Sequence, residues 1–258
     1  MSDAYVSKIA GELKLNPAGV AAVMGLFKED ATIPFIARYR KEATGNLDEV
    51  AIGKIQERLE QLKELDTRRE AILKSLAERN LLTPELKAKI DAAEVLSKLE
   101  DIYLPFRPKR RTRATIAKEK GLEPLADQVY AQGNEDPAAL AAPFISEEKG
   151  VKTAAEALAG ARDIIAERVS EDEGARARLR QLFAQKGVFH SKVLSGKEAE
   201  GAKFKDYFDW KEPAAKAPSH RILAMRRGET EGFLSMRIEV EAEEAIALLE
   251  QEIGRAHV

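Results

Sequence analysis

The chain has 258 residues, 44% hydrophobic and 33% charged, a composition that excludes intrinsic disorder and predicts a globular protein with a substantial core. No apolar run reaches the roughly 18 residues of a membrane span, and the opening MSDAYVSKIAGELKL lacks the apolar core of a signal peptide, so a cytoplasmic protein without a membrane partner is expected. Zero cysteines exclude disulfides, thiolate zinc sites and a cysteine nucleophile, while 42 basic and 44 acidic residues cancel to a formal net charge of −2, so any electropositive surface must be a patch.

Ala4, Val6, Ile9, Ala10 and Leu13 recur at helical spacing, and Asn16-Pro17 supplies an N-cap and a first-turn proline for a second helix. In IPFIARYRKEATGN, Pro34 starts a turn of helix and Thr44-Gly45-Asn46 stops it. Phe35, Ile36 and Tyr39 read there as core-facing positions, and Arg38, Arg40 and Lys41 crowd around them. From Leu47 to Leu82 there is no proline and only Gly53, and Ile55, Leu59, Leu62, Leu65, Ile72 and Leu76 recur at gaps of three, four and seven. The spacing predicts a long amphipathic helix, or two with a kink. At about 45 to 50 Å such a helix implies an elongated, multi-helix scaffold.

Thr83-Pro84-Glu85 predicts a further helix running toward Leu99, with a break at Leu104-Pro105. The stretch 104–120, LPFRPKRRTRATIAKEK, then reads as a basic loop, because two prolines push Leu104 and Arg107 toward extended conformations. Helices follow over 123–132, 137–145 and 153–169, the last opened by a Thr153/Glu156 capping box, and another over 172–185. After Gly187 the texture changes: GVFHSKVL and GFLSMRIEVE read as strands, with a helix over 219–226 between them. The fold class is therefore mainly α with a small β-containing section near the C-terminus. The organisation expected is a helical region over 1–186 and a mixed α/β extension over 187–252. The hexapeptide 253–258 has a codon solution matching a common sequencing-adapter read and is taken as an artefactual tail.

Little in the chain points to catalysis. Its three histidines, His190, His220 and His257, form no i, i+4 pair for zinc, so His190 and His220 read as packing or capping residues. No phosphate-cradling glycine loop or nucleophile elbow occurs, and the acidic run Glu171, Asp172, Glu173 reads as a solvated face. No enzyme activity, cofactor, metal or small-molecule substrate is expected. The basic loop is different. Arg107, Lys109, Arg110, Arg111, Arg113, Lys118 and Lys120 are opposed only by Glu119, a net +6 over 107–120. In an extended backbone Lys109, Arg111 and Arg113 would project to one side at about 6.5 to 7 Å, close to the spacing of successive phosphates. Two readings stand side by side: the cations grip phosphates without sequence preference, or they pair with acids on the helices and fasten the loop. The same choice applies to Arg38, Arg40 and Lys41, for which Phe35 and Tyr39 would be stacking surfaces.

The segments IPFIARYRKEATGNLDE (33–49), LEDIYLPFRPKRRTRATIAKEKGLEPLA (99–126), EGAKFKDYFDW (200–210) and PSHRILAMRRGETEG (218–232) together resemble the Tex family of bacterial transcription accessory proteins, in order across residues 1–245. The resemblance implies an N-terminal helical region with a helix-turn-helix-like subdomain. It also implies RNase H-like, helix-hairpin-helix and S1-type RNA-binding domains that lie beyond residue 258. It makes RNA or DNA the expected partner, bound without sequence preference, with transcription or translation machinery as the alternative partner of a purely scaffolding role.

Overall fold

A computed structural model describes residues 2–254, which divide between two compact units meeting at Phe106/Arg107. The first unit opens with helices α1 (Ser2–Leu13) and α2 (Pro17–Lys28), the latter capped by Asn16, whose side-chain oxygen accepts from Ala18 N at 2.9 Å. Short helices α3 (Ile33–Tyr39) and α4 (Lys41–Thr44) follow, then α5 (Glu49–Glu78), capped by Asp48 accepting from Ala51 N. The long periodic stretch is thus one uninterrupted helix of 30 residues, about 45 Å long.

Its inward stripe serves two cores in succession. Ile52, Ile55, Leu59 and Leu62 pack with Ile9, Val20, Val23, Met24 and Ile36. One turn further on, Leu65, Ile72 and Leu76 pack with residues of α6 (Pro84–Asp91) and α7 (Leu96–Tyr103), among them Leu86, Ile90, Leu99, Ile102 and Tyr103. The helix predicted from Pro84 toward Leu99 therefore ends early, at Asp91. The cause lies outside the segment: Arg69, on α5, donates Nη2 to Ala93 O at 2.7 Å and Nε to Ile90 O at 3.3 Å, satisfying carbonyls that the helix end sets free.

The same face of α5 clamps α1. Arg58 bonds Glu12 through Nε at 2.6 Å and Nη2 at 3.0 Å, and the Tyr5 hydroxyl donates to Asp66, which also pairs with Arg69. Burial, and then the hydrogen bond to the Asp66 carboxylate, push the Tyr5 phenol up from its ordinary 10.0 to about 12. A raised acid pKa favours the protonated form in the fold, so its contribution is complete below about pH 10 and is lost as pH rises toward 12. Absorbance titration should accordingly show one phenol ionising about two units late. Tyr5→Phe should abolish that late step and flatten the loss of stability between pH 10 and 12.

In the second unit, residues 107–112 are irregular, and α8 (Arg113–Glu119) begins within the predicted basic loop. The loop is thus shorter than expected, because Thr112 caps α8 by accepting from Thr115 N at 3.0 Å. Helices α9 (Glu123–Tyr130) and α10 (Pro137–Ala141) with α8 surround α11 (Ala154–Glu171). Small residues, Ala114, Ala117, Ala157 and Ala161, let these backbones approach around Leu122, Leu125, Ile164 and Ile165. The Thr153 hydroxyl caps α11 as predicted, accepting from Glu156 N, but the Glu156 carboxylate accepts from Lys152 N and so completes the box one residue early.

Asp172 caps α12 (Glu173–Lys186), which leads into a three-stranded antiparallel sheet. Its strands are β1 (Val188–Val193), β2 (Asp209–Pro213) and β3 (Leu234–Glu239), with β1 central and α13 (Ser219–Thr230) between β2 and β3 in sequence. His190, centrally placed opposite Lys211 and Arg237, is only 7% exposed. Its ring nitrogens face Asp209 at 3.2 Å and Glu239 at 3.0 Å. Histidine thus ties all three strands, the packing role its sequence context suggested, and its bond holds Glu239 below the usual carboxylate range. A last helix, α14 (Ala242–Ile253), packs on α12 through pairs such as Arg178–Glu252 at 2.6 Å and Lys186–Glu244 at 2.8 Å. Of the suspected tail only Ile253 and Gly254 are described; the remainder, with His257, lies outside the described residues. No helix among the described residues is long and apolar enough to cross a membrane.

Candidate nucleic-acid interface

The candidate cations fall into two groups, one in each unit, and the structure treats them differently. In the second unit most are already engaged. Lys109 lies between Glu171 and Glu167 of α11, 3.3 Å from the latter, with its side chain only 28% exposed. Burial works to lower its pKa, but hydrogen bonds and charge attraction from Glu171 and Glu167 outweigh burial, and the net shift is upward. Arg111 pairs with Glu119 at 2.6 Å, Arg113 with Asp163 at 3.4 Å and Lys118 with Glu123 at 3.4 Å. Lys120 donates to Gly150 O at 3.0 Å, and the Thr112 hydroxyl reaches Glu167 at 3.0 Å.

Lys109 and Arg111 therefore turn to different acids rather than forming one projecting row with Arg113. The acidic residue Glu171, read from sequence as solvated, is one of the anchors. Only Arg107 and Arg110 of this segment are exposed and without an ion pair among the described residues.

The first unit differs. Pro34 sets the first turn of α3, and the helix breaks at Arg40, whose backbone (φ −126, ψ 25) leaves the helical region. Then α4 makes a single turn and ends at Gly45 (φ 69) and Asn46 (φ 63), both left-handed. Asn46 N donates back to Lys41 O at 2.8 Å and the Thr44 hydroxyl to Arg40 O at 3.2 Å, so this small corner is internally braced.

The inner face of α3 is Ile36, fully buried, and Ala37. Phe35 and Tyr39, expected from their spacing to be core, are instead 40% and 63% exposed. They lie one turn apart on the outer face, with ring centroids 5.4 Å apart and planes inclined by 46°. The Arg40 guanidinium stands 5.5 Å from the Phe35 centroid. Arg38, Arg40 and Lys41 are exposed, and none has an ion pair among the described residues. Arg38 and Lys41 share the wall of a shallow cleft with Asn46, Asp48 and Glu49, where Asp48 is already committed to capping α5. The exposed Tyr39 ring, beside Phe35 with Arg40 over it and three cations without an ion pair among the described residues, forms a surface that can hold a flat, negatively charged ligand by stacking and by charge. Among the described residues no cluster of histidine or acidic side chains could hold a metal ion.

The described residues form a mainly helical chain with a small antiparallel sheet and exposed basic segments. Comparison with known proteins identifies its family. Residues 3–77 match the Tex-like protein N-terminal domain and residues 132–257 the Tex central region-like model. The chain belongs to the Tex family. It is 48% identical over 238 residues to Protein tex of Bordetella pertussis, covering 92% of this chain and 30% of that relative. It is 43% identical to the transcriptional accessory protein Tex of Neisseria gonorrhoeae, covering 92% of this chain and 31% of the relative. It is also 26% identical to human S1 RNA-binding domain-containing protein 1, covering 91% of this chain and 24% of that protein. The chain thus spans about 30% of the length of the curated bacterial relatives it matches.

Proposed function

We propose that this chain serves as a nucleic-acid-associated part of a transcription accessory protein, without catalytic activity of its own, and that it contacts the phosphate backbone through the cations its fold leaves unpaired. The observation carrying the proposal is the trio Arg38, Arg40 and Lys41. In a chain of net charge −2 these three follow one another closely, have no ion pair among the described residues and are presented to solvent from a braced corner. The names of the relatives, a transcriptional accessory protein and an S1 RNA-binding domain-containing protein, support the same class. Against a purely scaffolding role stands the apolar stripe of α5, whose large residues are already occupied by the unit's own two cores.

The test is fluorescence anisotropy with labelled single-stranded RNA and duplex DNA over a salt series. Replacing Arg38, Arg40 and Lys41 together by alanine should reduce the slope of log K against log salt by about 2 to 3, close to one for each phosphate no longer neutralised. Arg107→Ala with Arg110→Ala should reduce it further. Lys109→Ala should leave the slope unchanged and instead lower the second unit's stability by about 1 kcal/mol, since that ammonium is spent on two carboxylates. A folded chain that binds neither nucleic acid overturns the proposal.

A further inference from the structure

We infer that a groove on the first unit, walled by α1, α2 and α5, docks a basic amphipathic helix of a protein partner. The inference goes beyond the nucleic-acid role proposed above and does not depend on it. Two hollows of about 530 and 500 Å³ adjoin through Phe27, Leu59 and Lys63, which line both, and so make one continuous groove. From Gln56 to Glu70 it follows α5 for about 21 Å, roughly four turns.

The floor is apolar. Leu59 and Met24 are 6% and 4% exposed and belong to the core, yet each lines the groove. Half-buried Phe27 and Tyr5 add ring surface beside them. A methionine next to two aromatic rings can repack around an incoming apolar side chain. The shape of the partner follows from the walls. Helices α1, α2 and α5 close their backbone hydrogen bonds within themselves, so an extended segment finds no strand edge to pair with. A helix brings its own backbone bonds satisfied and lays one apolar stripe into the groove.

Charge sets the partner's sign. Carboxylates outnumber ammonium groups around the groove: Asp30, Glu60, Asp66 and Glu70 against Lys28 and Lys63. Arg69 and Tyr5 already hold Asp66, but Asp30, Glu60 and Glu70 are exposed and have no ion pair among the described residues. Glu60 and Glu70 bracket Lys63 along α5, so the complementary helix carries basic residues toward both ends of its apolar stripe. The same excess of carboxylates disfavours a phosphate strand, which sets the groove apart from the Arg38–Lys41 corner.

The chain has no cysteine, so Thr67→Cys, at an exposed position in the groove, accepts one environment-sensitive thiol dye. The probes are synthetic peptides of roughly 18 residues, about five helical turns. One carries leucines at i, i+4, i+7 and i+11 with flanking lysines, a second has the same residues in scrambled order, and a third has glutamates in place of the lysines. The basic helix should shift the dye emission to the blue and saturate, and the other two should bind at least about tenfold more weakly. Glu60→Lys together with Glu70→Lys reverses two exposed charges and leaves the core intact, which an unchanged thermal melt checks. That variant should weaken the basic peptide about tenfold and strengthen the acidic one. Equal binding of the scrambled peptide reduces the effect to charge and overturns the inference. So does an unchanged affinity in the charge-reversed variant, or a dye that does not respond to the basic helix. A dye shift that grows with protein concentration alone gives the groove to a second copy of the chain, and one produced by single-stranded RNA gives it to nucleic acid. Either result overturns the partner named here.

Discussion

Replacing Arg69 by methionine should lower the stability of the first unit by about 3 kcal/mol, the cost of stripping partners from several polar groups at once. The guanidinium reaches three places: the Asp66 carboxylate on its own helix, Ile90 O at 3.3 Å and Ala93 O at 2.7 Å. Methionine keeps most of the stem's packing, so the loss isolates the fork. It leaves Ala93 O without the guanidinium donor, Ile90 O with the Ala93 amide at 3.2 Å, and Asp66 with only the Tyr5 hydroxyl. Lysine should recover only part of the loss, because one ammonium cannot serve divergent acceptors as a fork does. Urea denaturation followed by circular dichroism, with hydrogen exchange read across residues 84–103, measures both effects. The exchange should quicken over α6 and α7 first. An unchanged midpoint would mean that water satisfies those carbonyls equally well and that the early end of α6 has another cause.

That residue also marks where the sequence becomes illegible. Features fixed by neighbours within four residues are readable: the caps expected at Asn16, Thr83 and Thr153 are found where a small polar side chain meets the following backbone amides. At Thr112 that capping chemistry outweighs the loop reading that the two prolines suggest. The break between α6 and α7 is not readable, because its partner lies 24 residues upstream on another helix. Periodicity puts Phe35 and Tyr39 on one face of α3 but cannot say which face the core takes. Burial of Ile36 and Ala37 settles that. The loop cations pose the same problem in charge. Composition gives +6 over 107–120, whereas the carboxylates that neutralise Lys109 and Arg113 stand on α11, some fifty to sixty residues further along. Helix α14 is absent from the sequence reading although its signal is present, since Ala245, Ile246, Leu248 and Leu249 recur at helical spacing.

Two glycines of α2 should respond in opposite senses to one added methyl group, and the difference reports how the α3–α4 corner is held. A Cβ on Gly19 would sit 2.6 Å from Thr44 O and 3.5 Å from a Leu47 methyl, whereas one on Gly25 would meet nothing within 4 Å. Gly25→Ala should therefore stabilise the unit by about 1 kcal/mol, the ordinary gain of alanine over glycine inside a helix. Gly19→Ala should destabilise it by about 2 kcal/mol despite the same propensity gain, because the obstacle is backbone and cannot rotate away. Thr44 is 1% exposed and its hydroxyl donates to Arg40 O and Lys41 O, so a shift of this turn displaces the cations that follow Tyr39. Gly19→Ala should thus weaken nucleic-acid binding severalfold although it changes no residue of the corner, while Gly25→Ala leaves binding untouched. Thermal melts and anisotropy on the matched pair decide the matter. If the two variants melt together, α2 does not press on Thr44, and the corner owes its position to α5 alone.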